Sequence, residues 1–244
     1  MMKRIAIVTG ASRGIGAATA KLLAREGYAV CVNYNSAENK AEQIVAEIHA
    51  AGGDAIAVKA DIASLSEVKA LFKTVDARLG PVTALVNNAG TNGGISTVED
   101  IAPDVLTSVF STNVFGTFYC CQEAIKRMKN NRVGNIVNVS SEAARFGGTQ
   151  LAHYAASKAA INTFTVAFAR EAAAHQVRVN AISPGVIDTE IHANSPADRI
   201  HKLLDSLPMK RMGTVDEVAQ LISWLLSDAA AYVSGSIIPI TGSR

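Results

Sequence analysis

The sequence predicts an α/β fold, a doubly wound parallel sheet of about seven strands with helices on both faces. Short runs rich in Val and Ile recur along the chain, and each is followed by a longer pattern with helical periodicity. Parallel strands need such helical crossovers to connect them. The composition, 49% hydrophobic and 18% charged, is typical of buried strands covered by Ala-rich helices.

Apolar periodicity and the polar or glycine residues that interrupt it define the predicted elements. Seven apolar runs that end in polar or glycine residues are predicted strands, near residues 5–8, 29–33, 55–59, 84–87, 135–139, 178–182 and 236–240. Capping-box spacing marks two helix starts, Ser64 with Glu67 and Thr214 with Glu217. Gly27, just past the first helix, suits the left-handed residue that ends many helices.

The chain shows no internal division. We expect a single domain over residues 1–244, because no repeat, low-complexity tract or linker interrupts the sequence. The one long irregular stretch runs from Pro184 to about Leu207 and contains Pro196. Such a segment in a compact domain is more often a lid than a linker. We therefore predict a substrate lid at about 187–207.

The bulk composition favours a small-molecule partner in a reducing compartment. A net charge of +2 with dispersed Lys and Arg residues is too mild for nucleic-acid binding. Cys31, Cys120 and Cys121 fit neither a disulfide framework nor a metal site. The five histidines show no ligand spacing, so we expect no metal. No apolar stretch is long enough for a membrane span or a signal-peptide core, so we expect a cytoplasmic protein.

Chemically distinctive residues follow the ends of the predicted strands. In open parallel sheets ligands bind beyond the carboxyl ends of the strands, so a binding function predicts this clustering. The residues are Thr9-Gly10, Tyr34-Asn35-Ser36, Asp61, Asn87-Asn88-Ala89-Gly90, Ser140-Ser141 and Pro184-Gly185. Turn formation alone would explain Gly, Asn and Pro, but it explains poorly why they all lie on one side.

A glycine-rich loop joins the first strand to the first helix. Gly10, Gly14 and Gly16 have the spacing G-x-x-x-G-x-G, which permits a tight turn and close approach of the backbone to a pyrophosphate. A plain structural turn is the alternative. The loop also matches the G-x-S-x-G pattern of serine hydrolases through Ser12. Only nine residues precede Gly10, however, which leaves no earlier loop for an oxyanion donor.

Tyr154 and Lys158 are four residues apart in an Ala-rich helical pattern that begins near Gln150, so they share one helix face. A Lys ammonium about 6 Å away favours the phenolate by roughly 3 kcal/mol, or about two pKa units. A Tyr154 pKa lowered in this way would make the phenol a better acid and base near neutral pH. Such pairs also occur by chance, so the pair alone does not indicate a function.

Together these motifs strongly resemble the short-chain dehydrogenase/reductase family, and the resemblance covers essentially the whole chain. It rests on Gly10 to Gly16, Asn87-Asn88-Ala89-Gly90, Asn113, Ser141, Tyr154 with Lys158, and Pro184-Gly185 to Thr189. It implies a Rossmann fold and a nicotinamide-dependent oxidoreductase that acts on CH–OH groups. Within the family, the chain is similar to 3-oxoacyl-acyl-carrier-protein reductases and to glucose-dehydrogenase-like members.

The resemblance implies a catalytic set of Asn113, Ser141, Tyr154 and Lys158. Tyr154 would exchange a proton with the substrate oxygen, and Lys158 would lower the pKa of Tyr154 and hold the nicotinamide ribose. Ser141 would hydrogen-bond the carbonyl, and Asn113 would support a water relay. Neighbours at a strand end face opposite sides, so the residues alone do not choose between Ser140 and Ser141; the family's spacing selects Ser141. Asn113 could equally be a helix-interior Asn that bonds to backbone.

The resemblance also implies a cofactor-binding set drawn from the loops at the strand ends. Asp61 would contact the adenine amino group or simply turn the chain, and Thr189 would fix the carboxamide. Residues Asn87 to Gly90 would buttress the sheet and the adenosine side, with Gly90 letting the cofactor pass near the backbone, or would have a stabilising role alone. The full set is Gly10, Ser12, Arg13, Gly14, Ile15, Gly16, Asn35, Ser36, Asp61, Ile62, Asn87, Ala89, Gly90, Tyr154, Lys158, Pro184, Gly185, Ile187 and Thr189.

The expected cofactor is NADP rather than NAD. NAD-preferring members present an acidic residue at the end of strand two, where it repels a 2'-phosphate. Residues 33–36 contain no carboxylate, and Arg13 is placed to meet that phosphate. Ser36 as a helix cap and Arg13 as a solvated loop charge are the alternatives.

The resemblance leaves the substrate open between a small carbonyl or alcohol and a 3-oxoacyl group on acyl carrier protein. The reductases of such groups receive the acidic carrier on a basic surface. Arg132 matches one of its positions, but His175 stands where a second Arg is usual, which argues against carrier docking. A redox sensor that binds NADP without turnover would usually lack the Tyr or the Lys. The family also implies a homotetramer.

Overall fold

The computed structural model describes residues 3–189 and 207–243. Its strands are β1 (Arg4–Val8), β2 (Tyr28–Tyr34), β3 (Asp54–Lys59), β4 (Ala84–Asn87), β5 (Gly134–Val139), β6 (Val177–Pro184) and β7 (Ile237–Ile240). They form one sheet in the order β3-β2-β1-β4-β5-β6-β7, and every neighbouring pair is parallel. The predicted seven-stranded parallel sheet is confirmed.

Helices cover both faces of this sheet, as expected of a doubly wound fold. The helices of the described residues are α1 (Gly14–Arg25), α2 (Glu38–Ala50), α3 (Leu65–Arg78), α4 (Pro103–Phe110), α5 (Gly116–Asn131), α6 (Ala143–Phe146), α7 (Ala152–Ala173) and α8 (Val215–Leu226). Apolar side chains of α1, α2 and α8 share one core cluster, and those of α3, α5 and α7 share another.

The strands supply alternate side chains to the two clusters. In β1, Ala6 and Val8 belong to the first cluster, whereas Ile5 and Ile7 belong to the second. This division follows from the period-two geometry of a strand. Because both faces are buried, the strands read in the sequence as continuous apolar runs instead of alternating ones.

The sheet reverses its direction of winding between β1 and β4. Strands β2 and β3 extend the sheet to one side of β1, and β4 to β7 extend it to the other. The loops that leave β1 and β4 therefore run to opposite sides and open a crevice at the carboxyl edge. This is the position where open α/β sheets bind their ligands.

Two strands extend further than the sequence predicts. Tyr34 pairs with Lys59 and Pro184 pairs with Ile240, so both expected loop residues are the last residues of their strands. Helix α7 begins at Ala152, beyond the predicted start near Gln150, which takes a left-handed conformation with φ of 60°.

The predicted lid at 187–207 lies almost wholly outside the described residues, where it stays a prediction. Its two ends are described: Ile187 forms an isolated parallel bridge with Gly213, and Leu207 is buried. Within the described ranges, no helix is long and apolar enough to cross a membrane.

Candidate active site

A groove of about 810 Å³ lies at the carboxyl edge of the sheet. Most of the predicted site residues line it, namely Gly10, Ser12, Arg13, Gly14, Ile15, Asn35, Ser36, Asp61, Ile62, Ala89, Gly90, Ser141, Tyr154, Lys158, Pro184, Gly185, Ile187 and Thr189. Three predicted residues, Gly16, Asn87 and Asn113, are not part of this lining. The sheet thus gathers residues from distant parts of the chain at one surface.

The glycine-rich loop needs its glycines for backbone conformation and for close approach. Gly10 has a φ of 61°, and a Cβ there would lie 2.8 Å from the Ala89 Cα. A Cβ at Gly16 would lie 2.5 Å from Asn88 Nδ2. Gly16 therefore lets α1 pack against the neighbouring loop instead of lining the groove, and larger residues at either position would force the backbone apart.

The N-terminus of α1 fits a phosphate-bearing ligand. No side chain of the described residues caps this end, and the first turn of the helix contains no acidic residue. The backbone N–H groups of Gly14, Ile15 and Gly16 have no partner within the helix and carry the positive end of its dipole. Such a helix end at the edge of a parallel sheet is suited to a pyrophosphate.

Polar side chains hold the glycine-rich loop in place. Asn88 Nδ2 donates to the carbonyl oxygens of Thr9 and Gly10 at 2.9 and 3.1 Å. The buried Asn33 side chain accepts a hydrogen bond of 3.4 Å from the Gly10 N–H. Asn33 and Asn88 both line the groove. The sequence predicted Asn88 as part of the Asn-Asn-Ala-Gly segment, but neither residue was in the predicted cofactor-binding set. Their positions at strand ends beside the loop were the available signal.

The rim of the groove beyond β2 carries cationic and polar side chains. Arg13, Asn35 and Ser36 are exposed there and line the groove. Glu38, the first carboxylate after β2, accepts a 3.1 Å hydrogen bond from the Tyr34 hydroxyl and is not part of the lining. This end of the groove therefore combines a guanidinium, an amide and a hydroxyl group.

Asp61 and Asn87 both make structural contacts. Asp61 lines the groove, and its Oδ1 accepts from the Ala63 N–H at 2.9 Å, so it turns the chain toward α3. Asn87 is buried, and its Nδ2 donates to Asn138 Oδ1 at 2.9 Å. Asn87 therefore braces β4 against β5 below the groove and does not reach the lining.

Tyr154 and Lys158 lie together at the end of the groove near β5. The Lys158 Nζ is 5.8 Å from the centre of the Tyr154 ring and donates a 2.7 Å hydrogen bond to the Val139 carbonyl. Burial lowers the pKa of Lys158 to about 8. Burial also raises the pKa of Tyr154, and a hydrogen bond with Ser141 opposes that rise.

The expected lowering of the Tyr154 pKa is therefore not found in this structure. Helical spacing predicts that Tyr154 and Lys158 share a face, but it does not reveal that Lys158 is buried and Tyr154 half-buried. Desolvation disfavours both the phenolate and the ammonium. In Tyr154 that cost is the larger effect, and Ser141 offsets it only in part.

The two serines after β5 have separate contacts. Ser141 lies on the side of Tyr154, where it acts to lower the pKa of the Tyr hydroxyl, and its own Oγ accepts from the Ala143 N–H at 3.2 Å. Ser140 is buried, and its Oγ donates to the Lys158 carbonyl at 3.1 Å. Ser141 thus faces the Tyr, as the family spacing predicts, and Ser140 fixes the backbone of α7.

Asn113 lies on a single π-helical turn, Ser111–Phe115, between α4 and α5. Its Nδ2 donates to the Thr91 carbonyl at 2.8 Å and to Ser157 Oγ at 2.9 Å, and its Oδ1 accepts from the Thr91 N–H at 2.9 Å. Asn113 therefore binds the backbone of a loop 22 residues away and not that of its own helix. It joins the loop after β4 to α7.

Further polar residues of the lining were in neither the predicted catalytic set nor the predicted cofactor-binding set. Beyond Asn33 and Asn88 they are Thr91, Asn92, Ser108 and Thr112. Ser108 and Thr112 are four residues apart and share a helix face, and Thr91 and Asn92 directly follow the Asn-Asn-Ala-Gly segment. In the described part of the chain, no group of three or more His, Cys, Asp or Glu side chains could hold a metal ion.

Comparison with known proteins agrees with this geometry. The short chain dehydrogenase family matches residues 4–200. The chain is 48% identical to the oxidoreductase YgfF of Escherichia coli K12, over 98% of this chain and 99% of that protein. It is 40% identical to a 3-oxoacyl-[acyl-carrier-protein] reductase of Synechocystis sp., over 98% of this chain and 96% of the relative. It is 38% identical to FabG, the reductase of the same name in Staphylococcus aureus N315, over 99% and 98%.

These matches replace the serine-hydrolase interpretation of Ser12, which is a lining residue of the glycine-rich loop. The groove, the uncapped helix end and the Tyr154–Lys158 pair agree with the matched family. The chain belongs to the short chain dehydrogenases, oxidoreductases that act on CH–OH groups with a nicotinamide cofactor.

Proposed function

We propose that this protein is an NADPH-dependent reductase that interconverts a carbonyl and an alcohol, with Tyr154 as general acid and base. One observation carries the proposal. Tyr154, Ser141 and Lys158 line one end of a groove whose opposite end fits a phosphate, and Lys158 Nζ lies 5.8 Å from the centre of the Tyr154 ring. A proton donor and a cofactor-sized groove thus meet at one site.

The chain's own residues supply the proton and hold the reacting oxygen. A nicotinamide bound in the groove supplies the hydride. Tyr154 gives its hydroxyl proton to the substrate oxygen during reduction and takes one back during oxidation. Ser141 donates a hydrogen bond to that oxygen, and Lys158, fixed by the Val139 carbonyl, holds the nicotinamide ribose and favours the phenolate. Asn113 holds the adjoining loop and supports the exchange of protons with water.

The rim beyond β2 supports NADP over NAD. Arg13, Asn35 and Ser36 offer hydrogen-bond donors, and a guanidinium pairs well with a phosphate. The repulsion that a carboxylate would exert on a 2'-phosphate is weak here, because Glu38 is turned toward Tyr34.

Reduction of 3-oxoacyl groups on acyl carrier protein is the second candidate, because two relatives carry that name at 38% and 40% identity. Arg132, at the exposed end of α5, supports carrier docking. The histidine at His175 argues against it, since a second Arg is usual there. A lid at 187–207 and a homotetramer belong to the same proposal.

The test of the proposal is NADPH oxidation with a panel of ketones, quinones, sugars and 3-oxoacyl thioesters. Tyr154→Phe is expected to keep NADPH affinity, because it removes only the hydroxyl, and to lose roughly 10²–10⁴-fold in kcat. Binding is measured by NADPH fluorescence and turnover by absorbance. Tyr232→Phe is the matched control, since Tyr232 is fully exposed and away from the groove.

Near-normal kcat in Tyr154→Phe would contradict the proposed role of Tyr154 as general acid and base.

The preference for NADP over NAD is tested in the same assay. Arg13→Ala is expected to lower kcat/KM with NADPH more than with NADH. Comparable kcat/KM with the two cofactors, unchanged by Arg13→Ala, would contradict the preference for NADP.

A further inference from the structure

His153 is a buried polar side chain to which the proposed chemistry assigns no role. It directly precedes Tyr154 on α7 and is 3% exposed. Its Nε2 lies 2.8 Å from the carbonyl oxygen of Asn92. Its Nδ1 is buried and has no hydrogen-bond partner among the described residues.

These contacts determine the form of the ring. A carbonyl oxygen only accepts hydrogen bonds, so the Nε2 of His153 must carry the proton that it donates to Asn92. The contact that holds the ring is therefore the donation from Nε2–H to Asn92, and Nδ1 makes no such contact among the described residues.

The acceptor belongs to the loop of residues 91–93, which follows β4. Thr91 and Asn92 line the groove alongside Tyr154. Asn113 holds one side of the loop by hydrogen bonds to both backbone groups of Thr91. His153 holds the other side through Asn92.

Hydrogen bonds connect the 91–93 loop to α7 at two places. Asn113 Nδ2 donates to Ser157 Oγ, and Ser157 Oγ donates to the Tyr154 carbonyl at 2.7 Å. His153 directly precedes Tyr154 in the sequence, and its imidazole hydrogen-bonds the loop at the Asn92 carbonyl. His153 thus binds the loop directly, and Ser157 is connected to it through Asn113, so both contacts hold the loop relative to Tyr154.

Packing at Gly93 leaves the loop little freedom. Gly93 has a φ of 71°, and a Cβ there would lie 2.5 Å from Val109 Cγ2 and 3.0 Å from His153 Nε2. The backbone therefore passes against both α4 and α7. Only a glycine fits this approach, and the imidazole of His153 forms one side of it.

We propose that His153 is a positioning residue, whose Nε2–H tethers the 91–93 loop to α7 and so sets the wall of the groove beside Tyr154. The inference rests on the proposed reductase function, because that function gives the wall a substrate to orient. Small displacements of groups that position a substrate lower the rate of the chemical step strongly.

Two substitutions of His153 by neutral amides distinguish a hydrogen-bonded tether from a side chain that only fills space. In His153→Gln the side-chain amide can reach the position of Nε2 and donate to Asn92, whereas the shorter side chain of His153→Asn reaches only the position of Nδ1. The Gln variant is expected to keep kcat within about threefold of wild type, with an unchanged pH profile. The Asn variant is expected to lose about ten- to a hundredfold in kcat with unchanged NADPH affinity.

A second measurement does not depend on turnover. Hydrogen exchange of the peptide covering residues 89–96 is expected to speed up in His153→Asn and to match wild type in His153→Gln. Equal Tm values for the two variants would show that the difference comes from the hydrogen bond and not from global stability. Equal kcat and equal exchange in the two variants would overturn the tether. A wild-type protein inactive with the whole panel would instead contradict the proposed function, and the exchange result would still decide the tether.

Discussion

At the scale of single residues, burial shifts the pKa values of the two groups at the end of the groove near β5. Lys158 keeps one strong acceptor, the Val139 carbonyl, yet its surroundings lower its pKa to about 8. Tyr154 has its pKa raised by the same cause. Near neutral pH the Lys is therefore mostly an ammonium and the Tyr holds its proton, which is the form needed to protonate a carbonyl oxygen.

The lowered pKa of Lys158 predicts a pH-dependent contribution to stability. Between about pH 8 and 10.5 the unfolded chain binds this proton and the folded protein does not, so the free energy of unfolding rises with pH. Below pH 8 both states are protonated, and the cost of burying the charge is fully present. The rise across this window is up to about 3 kcal/mol. Lys158→Met lacks the group and is expected to lack the rise.

Urea denaturation of both proteins at pH 7, 8, 9 and 10 measures this difference. Comparison with the variant cancels the other groups that titrate in the window. Lys129→Met is the matched control, because Lys129 is exposed at the end of α5 and its charge stays in water. Parallel stability curves for wild type and Lys158→Met would contradict the lowered pKa.

The residue scale also shows what the sequence reveals of the site. Helical spacing predicts that Tyr154 and Lys158 share a face, because that depends only on the 3.6-residue turn. The Asn92 contact of His153 is not predictable in this way, because it joins residues 61 positions apart. Such contacts depend on how the sheet brings loops together.

At the scale of elements, the two predicted capping boxes differ in the structure. Thr214 and Glu217 form a complete box, with hydrogen bonds of 3.2 and 2.7 Å between each side chain and the other's backbone N–H. Ser64 caps α3, but the Glu67 side chain accepts from the Asp61 N–H instead. The spacing in the sequence is the same, so the outcome depends on a competing donor in the preceding turn.

Removal of the complete box is expected to destabilise the protein. Thr214→Ala leaves the Glu217 N–H without its cap at the start of α8 and is expected to cost about 1 kcal/mol in the free energy of unfolding, measured in urea. Thr74→Ala is the control, because Thr74 is half-buried inside α3, its hydroxyl bonds only to a carbonyl of the same helix, and alanine is the better helix former. A loss in Thr214→Ala no larger than the change in Thr74→Ala would contradict the role of the cap.

The π-helical turn at Ser111–Phe115 is an element that the sequence did not predict. Its extra residue changes which side chains face the loop after β4, and it points Asn113 at Thr91. Apolar periodicity indicates a helix here but not its local widening. The family resemblance identified Asn113 as a site residue, whereas its contacts came only from the structure.

At the scale of the whole molecule, the parallel sheet was predictable from the sequence, and the position of the groove follows from the parallel sheet. Alternating strands and helices imply a parallel sheet, and a parallel sheet places all strand carboxyl ends at one edge. That is why Gly10, Asp61, Ala89 and Ser141 were expected together and line one groove. The braces beneath the groove, such as Asn87 to Asn138, need the actual neighbours of each strand.

The three cysteines provide a probe of the opening of the whole fold. Cys31 lies in β2, Cys120 and Cys121 lie in α5, and all three are buried in the cluster that α3, α5 and α7 share with the sheet. Burial raises the pKa of Cys120 to about 12 and raises that of the other two thiols. Little reactive thiolate is therefore present near pH 8.

Native protein at pH 8 is accordingly expected to show almost no rapid reaction with an aromatic disulfide reagent, and all three thiols are expected to react after unfolding in guanidinium. Ala231→Cys supplies the positive control, because position 231 is exposed and a thiol there should react at once. With increasing urea the slow reaction should accelerate in step with the fraction of unfolded protein, since the cluster lies between the sheet and α3, α5 and α7, which must separate to admit the reagent. Rapid reaction of any native thiol in wild type would show that the α5 side of the core opens without global unfolding.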